Sequence, residues 1–399
     1  MTLADRYDSF LFDLDGVLYR ANRPVEGAAD AIRSLRAARR GIAFVTNNSA
    51  KAPEQVADTL AALGIRAASE EIVTSAIATA ELIGRRGGGT AFVIGETGIR
   101  KALTDAGIAV LEGSPSSADW VVVGWDRGAD YDKLRTAALL VERGAALVAT
   151  NADAAYPAPE GAWPGAGALL AVVTTTTSVV PEVVGKPHAP LFRTAVARAG
   201  GRSHLFIGDR IDTDVVGAEA LGIPALLVFT GVSAPADLTR ADGLPTYVGR
   251  DLSALFREHP SVRPATAADE RAVTELLHST GLQDEGAARR IGDTLVAELA
   301  GEVIGTVALD VDAGRAHLRS LAVRERSRGT FVGTLLVAHA VLAAREAGAS
   351  KVFLATETAA GFFGRLGFER IGLLSELPER FRQGLPLCSE TAETMRLAL

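Results

Sequence analysis

Three short apolar runs, Ser9 to Phe12, Ile42 to Val45 and Leu205 to Ile207, each stop at a polar or glycine-containing turn that leads into a helical pattern. Continuous apolar runs of this length are how strands buried on both faces of a parallel sheet read, because helices cover each side. Helical periodicity over Ala28 to Arg40 precedes the second run, and over Pro53 to Leu63 it follows. The alternation predicts an open α/β sheet, whose ligands bind beyond the carboxyl ends of the strands.

The distances between strand ends show where the chain departs from this plan. Asp13 and Thr46 lie 33 positions apart, whereas Thr46 and Lys186 lie 140 apart. Within the longer interval, Ala91 to Gly95, Trp120 to Val123 and Ala146 to Ala149 read as strands, alternating with helices over Gly98 to Ala106 and Tyr131 to Arg143. Residues 76–182 therefore read as an α/β cap inserted into a core of residues 1–75 and 183–256. The polar stretch REHPSVRP, residues 257–264, reads as a linker. Beyond it, residues 265–399 form a further unit. A helix over Asp269 to Ser279 is followed by strands near Thr294 to Leu299, Val303 to Val311 and His317 to Val323, then a long helix from about Gly329 to Ala347.

Charge and composition exclude several classes of function. The net charge of -7 argues against nucleic acid as a partner, since polyphosphate binding needs a basic surface. No apolar segment continues for the ~18 residues a membrane crossing requires. The amino terminus shows no secretory pattern, and the lone Cys388 cannot close an internal disulfide, so a cytoplasmic location is expected. Only five of the 41 basic residues are lysines, which gives Lys186 in its Gly-Lys-Pro setting added weight.

Four segments carry chemistry. FDLDGVLY (Phe12 to Tyr19) places Asp13 and Asp15 at a strand end, where one carboxylate can attack phosphorus and the other can protonate the leaving alkoxide and then activate water. VTNNSAK presents Thr46, Asn47 and Asn48 where a helix opens, a position that favours phosphate and equally suits ordinary helix capping. VGKPHAPLF supplies the Lys186 ammonium. IGDRIDTD supplies Asp209, Asp212 and Asp214, hard oxygen donors that suit magnesium. Any one of these alone is weak, for a solitary DxD is more often an exposed acidic strand end.

In this order, each at a strand's carboxyl end, the four segments resemble the haloacid dehalogenase superfamily. FDLDGV looks like its first motif, VTNNS its second, GKP its lysine motif and GDRIDTD its acidic metal motif. The insertion, with TNADAAYP and PGAGAL inside it, looks like a type-two cap of the p-nitrophenyl phosphatase and phosphoglycolate phosphatase subfamily. The resemblance implies a Rossmann-like core in which Asp13 is the nucleophile and Asp15 the general acid/base. It implies that Asp13, the Asp15 backbone carbonyl and Asp209 hold Mg2+, and that Thr46, Asn47, Asn48 and Lys186 grip the phosphoryl group of a small phosphate ester. Asp214 is then expected to orient lysine and metal-bound water from behind, with Asp212 a loop cap. His188, Trp125, Asp126, Tyr156 and Trp163 stand as candidate substrate contacts. Cap surfaces of such enzymes often mediate dimers, which makes a second copy a candidate partner.

The carboxy-terminal run from ELAGEVIGTVALD to GFFGRLGFERIG resembles the GNAT acyltransferase fold. That family holds acyl-CoA pyrophosphate on backbone amides between a strand and a long helix. In the corresponding run, Arg328 to Gly333, Phe331 replaces the first required glycine. The substitution argues against acetyl-CoA binding and favours a structural or regulatory appendage over a second, acetyltransferase activity. A type-two phosphatase joined to such a unit resembles actinobacterial glycerol 3-phosphate phosphatases, which implies glycerol 3-phosphate as substrate, with phosphoglycolate or a sugar phosphate as alternatives.

Overall fold

The computed structural model describes residues 1–21, 23–158, 160–282, 288–373, 379–382 and 392–399; Cys388 lies outside them. Contacts divide the chain into one unit of Ala4–Gly231 and a second of Met1–Leu3 with Val232–Leu399.

In the first unit, β1 (Ser9–Asp13), β2 (Gly41–Thr46) and β3 (Ile72–Thr74) precede an excursion through β4 (Thr90–Ile94), β5 (Ala109–Leu111), β6 (Trp120–Val123), β7 (Ala146–Ala149) and β8 (Glu182–Val183). The chain then returns through β9 (His204–Gly208) and β10 (Ala225–Val228). The returning strands join the first three in the order β10-β9-β1-β2-β3, and the excursion builds its own sheet in the order β8-β7-β6-β4-β5. Pairing is parallel throughout both sets. All five residues of β1 are buried, as expected for a central strand covered on both faces. Phe12 packs 6.3 Å from Phe44 of β2, ring centroid to ring centroid, and locks these two strands side by side. The helices α1 (Ala28–Ala37) and α2 (Pro53–Ala62) fall within one to three residues of the expected spans.

The second unit carries a seven-stranded sheet of β11 (Ser261–Pro264), β12 (Thr294–Leu299), β13 (Glu302–Asp312), β14 (Arg315–Val323), β15 (Lys351–Thr356), β16 (Glu369–Leu373) and β17 (Glu393–Ala398), in the order β11-β12-β13-β14-β15-β17-β16. Residues 261–264, which read from the sequence as linker, form the edge strand β11. Arg263 anchors it by gripping Asp269 at 2.8 and 2.9 Å and Glu298 at 2.6 Å. By their contacts residues 232–256 fall in this unit. Part of the cause is Arg345, which donates to the carbonyls of Thr239 and Ala241 at 3.0 and 2.7 Å.

β14 and β15 pair in parallel only from Arg315 to His317, so the two strands part company beyond that point. Between them runs α3 (Val332–Glu346), whose buried face includes Leu336, Val337 and Val341. It begins three residues later than the sequence pattern suggests, because Gly329 and Phe331 both adopt positive φ (75° and 65°), which no right-handed helix accommodates. For phenylalanine this conformation costs roughly 1–2 kcal/mol.

On β14, His317 is buried, stacks on Phe381 with centroids 5.1 Å apart, and has no hydrogen-bond partner for Nε2 among the described residues. Burial pulls its pKa down to about 4, Asp310 opposing and Arg319 assisting. The folded state thus takes up a proton less readily than the unfolded chain, so His317 costs nothing above pH 6.5 and destabilises as the pH falls from 6.5 towards 4. The expected loss by pH 4 is about 3 kcal/mol. Urea unfolding at pH 7 and pH 4 should show that His317→Phe removes this increment of the acid sensitivity.

Candidate active site

The carboxyl ends of β1, β2 and β9 bring the sequence-predicted residues to one edge of the first unit's sheet. Asp13 closes β1 and is 8% exposed; Asp209 follows β9 and is 1% exposed. Asp214 is fully buried in the wide turn Ile211–Val215 that follows. Its Oδ2 accepts from the backbone amides of Asp209 and Arg210, both at 3.1 Å, so the turn folds around its own carboxylate. Lys186 Nζ, also buried, is 2.7 Å from Asp214 Oδ1 and donates to Asp13 Oδ1.

One carboxylate oxygen from each of Asp13, Asp209 and Asp214 lies within 4.8 Å of the others. Three buried carboxylates face one ammonium. Burial raises the Asp13 pKa well above the ordinary carboxylate value, Lys186 pulls it down, and Asp214 and Asp209 push it up again. At Lys186, burial lowers the pKa, but the Asp13 and Asp214 carboxylates overcome it and keep the ammonium charged. The surplus of hard, buried oxygen donors suits a small divalent cation with an oxygen preference. Asp214, expected to act from behind the site, thus stands inside the cluster, whereas the Asp15 side chain does not.

Asp15 projects outward and is exposed. Atoms crowding its carboxyl strip away water and raise its pKa, opposed by the Gly16 amide and Arg20. A raised value favours the protonated form that a proton donor needs. Beside it, the half-buried Tyr19 hydroxyl is held protonated by burial first, then by Asp15, Asp13 and Tyr156.

Of the second segment, Thr46 ends β2 and its Oγ1 accepts from the Asn48 amide at 3.1 Å, while Asn48 Oδ1 accepts from the Ala50 amide at 2.9 Å. Asn47 is committed to Lys186. Its Oδ1 accepts from the Lys186 amide at 2.7 Å, and its Nδ2 donates to the Lys186 carbonyl at 3.1 Å and to Asp153 Oδ2 at 3.2 Å. The Asn47 carbonyl in turn accepts from Ser75 Oγ and Asn151 Nδ2, both at 2.7 Å. Asn151 and Asp153 escaped the sequence reading. A signal was present, for Thr150-Asn151 after β7 repeats the Thr46-Asn47 pattern after β2.

The remaining candidates separate. Trp125 stacks on Tyr156 at 4.2 Å and lies 6.5 Å from Trp163, and its indole N–H donates to the Pro164 carbonyl. Asp126 is buried and occupied structurally, accepting from the Gly95 and Gly128 amides and from Lys133 Nζ at 2.8 Å. His188 is exposed at the start of the helix Ala189–Ala199. Asp212 pairs with Arg210 at 2.7 Å, away from the carboxylate cluster.

Two glycines shape the niche around Asp209. A Cβ at Gly16, which sits at φ 84°, or at Gly231 would overlap the Asp209 carboxylate. The first is the turn glycine expected from the sequence; the second is a glycine whose need appears only in three dimensions. Gly231→Ala should therefore displace Asp209 and lower turnover at least ~10-fold, about 1.4 kcal/mol of barrier, in a phosphate-release assay, with circular dichroism unchanged.

Haloacid dehalogenase-like hydrolase models match residues 10–109 and 183–255, and a GNAT acetyltransferase domain model matches residues 290–370. An acid sugar phosphatase from Staphylococcus saprophyticus is 38% identical over 255 residues, 63% of this chain and 98% of the relative. The D-glycerol 3-phosphate phosphatase of Mycobacterium tuberculosis is 35% identical over 261 residues, 64% of this chain and 73% of the relative. The crystal structure of glycerol phosphate phosphatase from Mycobacterium tuberculosis in complex with magnesium superposes with a TM-score of 0.71 at 30% identity, over 92% of this chain and 98% of that one. Likeness at this level across nearly the full length of its relatives means that the chain belongs to the haloacid dehalogenase-like hydrolases as a phosphoric monoester hydrolase, joined to a GNAT-type domain.

Proposed function

We propose that this phosphatase is magnesium-dependent, forms an aspartyl-phosphate on Asp13, and acts on glycerol 3-phosphate. The observation that carries the chemistry is the convergence of Asp13, Asp209 and Asp214 around the Lys186 ammonium. Asp13, Asp209 and the Asp15 carbonyl would hold the cation, with Asp214 fixing Lys186. When bound, magnesium supplies positive charge between these carboxylates and the phosphoryl oxygens.

Lys186 holds Asp13 Oδ1 and leaves Oδ2 to attack phosphorus in line. The phosphorus–oxygen ester bond breaks as Asp15 gives its proton to the departing alkoxide. Asp15, now a carboxylate, takes a proton from water as that water attacks the acyl phosphate, releasing inorganic phosphate and restoring both aspartates. Thr46, the Asn47 backbone amide, Asn48 and Lys186 hold the phosphoryl oxygens, and the Asn47 side chain supports this grip by clamping the Lys186 backbone.

Glycerol 3-phosphate is favoured because similarity to the Mycobacterium tuberculosis structure spans 92% of this chain, carboxy-terminal unit included, whereas the acid sugar phosphatase accounts for 63%. We assign residues 76–182 as the cap of a core comprising 1–75 and 183–256, with specificity residing in the cap, and place the enzyme in the cytoplasm. Among the described residues no helix is long and apolar enough to cross a membrane. For the GNAT-type domain we favour a structural or regulatory role without acetyl-CoA, since Phe331 directly precedes α3 at the position where the acyl-CoA-binding run requires glycine.

Asp13→Asn should abolish turnover, and Asp15→Asn should lower it by ~10²–10⁴; measurable hydrolysis by Asp13→Asn would end the scheme. Chelation should silence the enzyme and added magnesium restore it. In a panel of small phosphate esters, glycerol 3-phosphate should give the highest kcat/KM, and a sugar phosphate in first place would transfer the assignment. Calorimetric titration of acetyl-CoA into the full chain should show no saturable heat.

A further inference from the structure

A cavity of about 300 Å³ opens at the far edge of the same sheet, lined by Arg36, Arg40, Arg66, Ala68 and Glu71. Arg40 directly precedes β2, and Glu71 directly precedes β3. The cavity is therefore at the amino ends of the strands whose carboxyl ends carry the catalytic cluster. The six residues of β2 separate the two places by about 16–20 Å.

The chemistry of the lining is one-sided. Arg36 uses its two Nη atoms on the Glu71 carboxylate, at 2.6 and 2.7 Å, and on the Arg66 carbonyl at 2.8 Å. Those bonds tie the end of α1 to the loop before β3 and consume the one carboxylate of the lining. Arg36 Nε and Arg40 Nε are buried with no hydrogen-bond partner among the described residues. Arg40 reaches the Asp5 carbonyl only at 3.4 Å, and Arg66 is exposed. The other nearby carboxylate, Asp8, already accepts from the Arg202 and Ser203 amides at 3.0 and 3.1 Å. Three guanidinium groups thus line one cavity with a single carboxylate among them, and Asp8 acts on Arg40 only across space.

Arginine forks match the planar or tetrahedral oxygens of an oxyanion, and clustered guanidinium charges favour an anion beside them. We propose that this cavity is a binding site for a small multivalent oxyanion, phosphate-bearing or polycarboxylate, separate from the catalytic cleft. The ligand accepts from the Nη groups of Arg40 and from the Arg66 fork while the Arg36–Glu71 pair stays intact as the floor. In a chain of net charge -7, such a cluster selects small anions rather than an extended polyanion, whose remaining charges would meet an acidic surface.

The test is isothermal titration of inorganic phosphate, and separately of citrate, into the full-length protein with chelator present and sodium chloride at matched ionic strength as control. Arg40→Ala combined with Arg66→Ala leaves the Arg36–Glu71 pair in place, and unchanged hydrolysis of p-nitrophenyl phosphate with magnesium reports an intact fold. The wild type should show a saturable site that chloride does not fill and that weakens at least tenfold in the double variant, while any phosphate bound at the catalytic cluster persists in both. Tighter phosphate or tighter citrate names the source of the oxyanion. Equal affinity in wild type and double variant, filling by chloride, or no saturable heat with either anion would overturn the site.

Discussion

The Lys186 ammonium, buried between Asp13 and Asp214, is the contact on which the catalytic edge of this molecule depends. Removing one partner of a buried ion pair costs about 3–5 kcal/mol, because the other is left as an uncompensated charge. The chain accordingly spends much of its local structure on keeping that lysine in place. Asn47 closes both hydrogen bonds of its amide on the Lys186 backbone, and the turn Ile211–Val215 wraps its own amides around Asp214. The site is thus preorganised by groups that need never touch substrate, which is how a sheet edge becomes a phosphoryl-transfer centre rather than an exposed acidic end.

The same edge explains the division of labour among the aspartates. Asp13, Asp209 and Asp214 are buried around one ammonium, and the two neighbouring carboxylates add to the burial that raises the Asp13 pKa. Asp15 comes two residues after Asp13, just ahead of the positive-φ Gly16, and is exposed with a raised pKa of its own. In the proposed scheme a nucleophile that must stay charged and an acid that must start protonated are thereby two positions apart in the chain. Asn151 and Asp153 meet Asn47 where the inserted sheet rejoins the core, which couples the inserted residues to the lysine through one amide side chain.

The GNAT-type domain shows a different balance. Phe331 holds a left-handed conformation that glycine would adopt without cost, so the mouth of α3 carries local backbone strain. The surrounding packing of α3 against its sheet, through residues such as Leu336, Val337 and Val341, is what sustains the strain.

By itself the sequence determined the parallel core strands, the residues at their carboxyl ends and the presence of an inserted α/β segment, because apolar runs, turn glycines and carboxylate spacing are local signals. It also named Asp13, Lys186 and Asp209 as candidates for one site. Only the tertiary structure decided that Asp214 enters the carboxylate cluster while the Asp15 side chain stays outside, that the Asn47 amide locks a backbone 139 residues away, and that Gly231 must lack a side chain to make room for Asp209. It likewise decided that residues 261–264 form an edge strand, through the grip of Arg263 on Asp269 and Glu298, and that three arginines separated along the chain line one cavity. These outcomes depend on which side chains share a volume after packing, and no periodicity within a dozen residues encodes that.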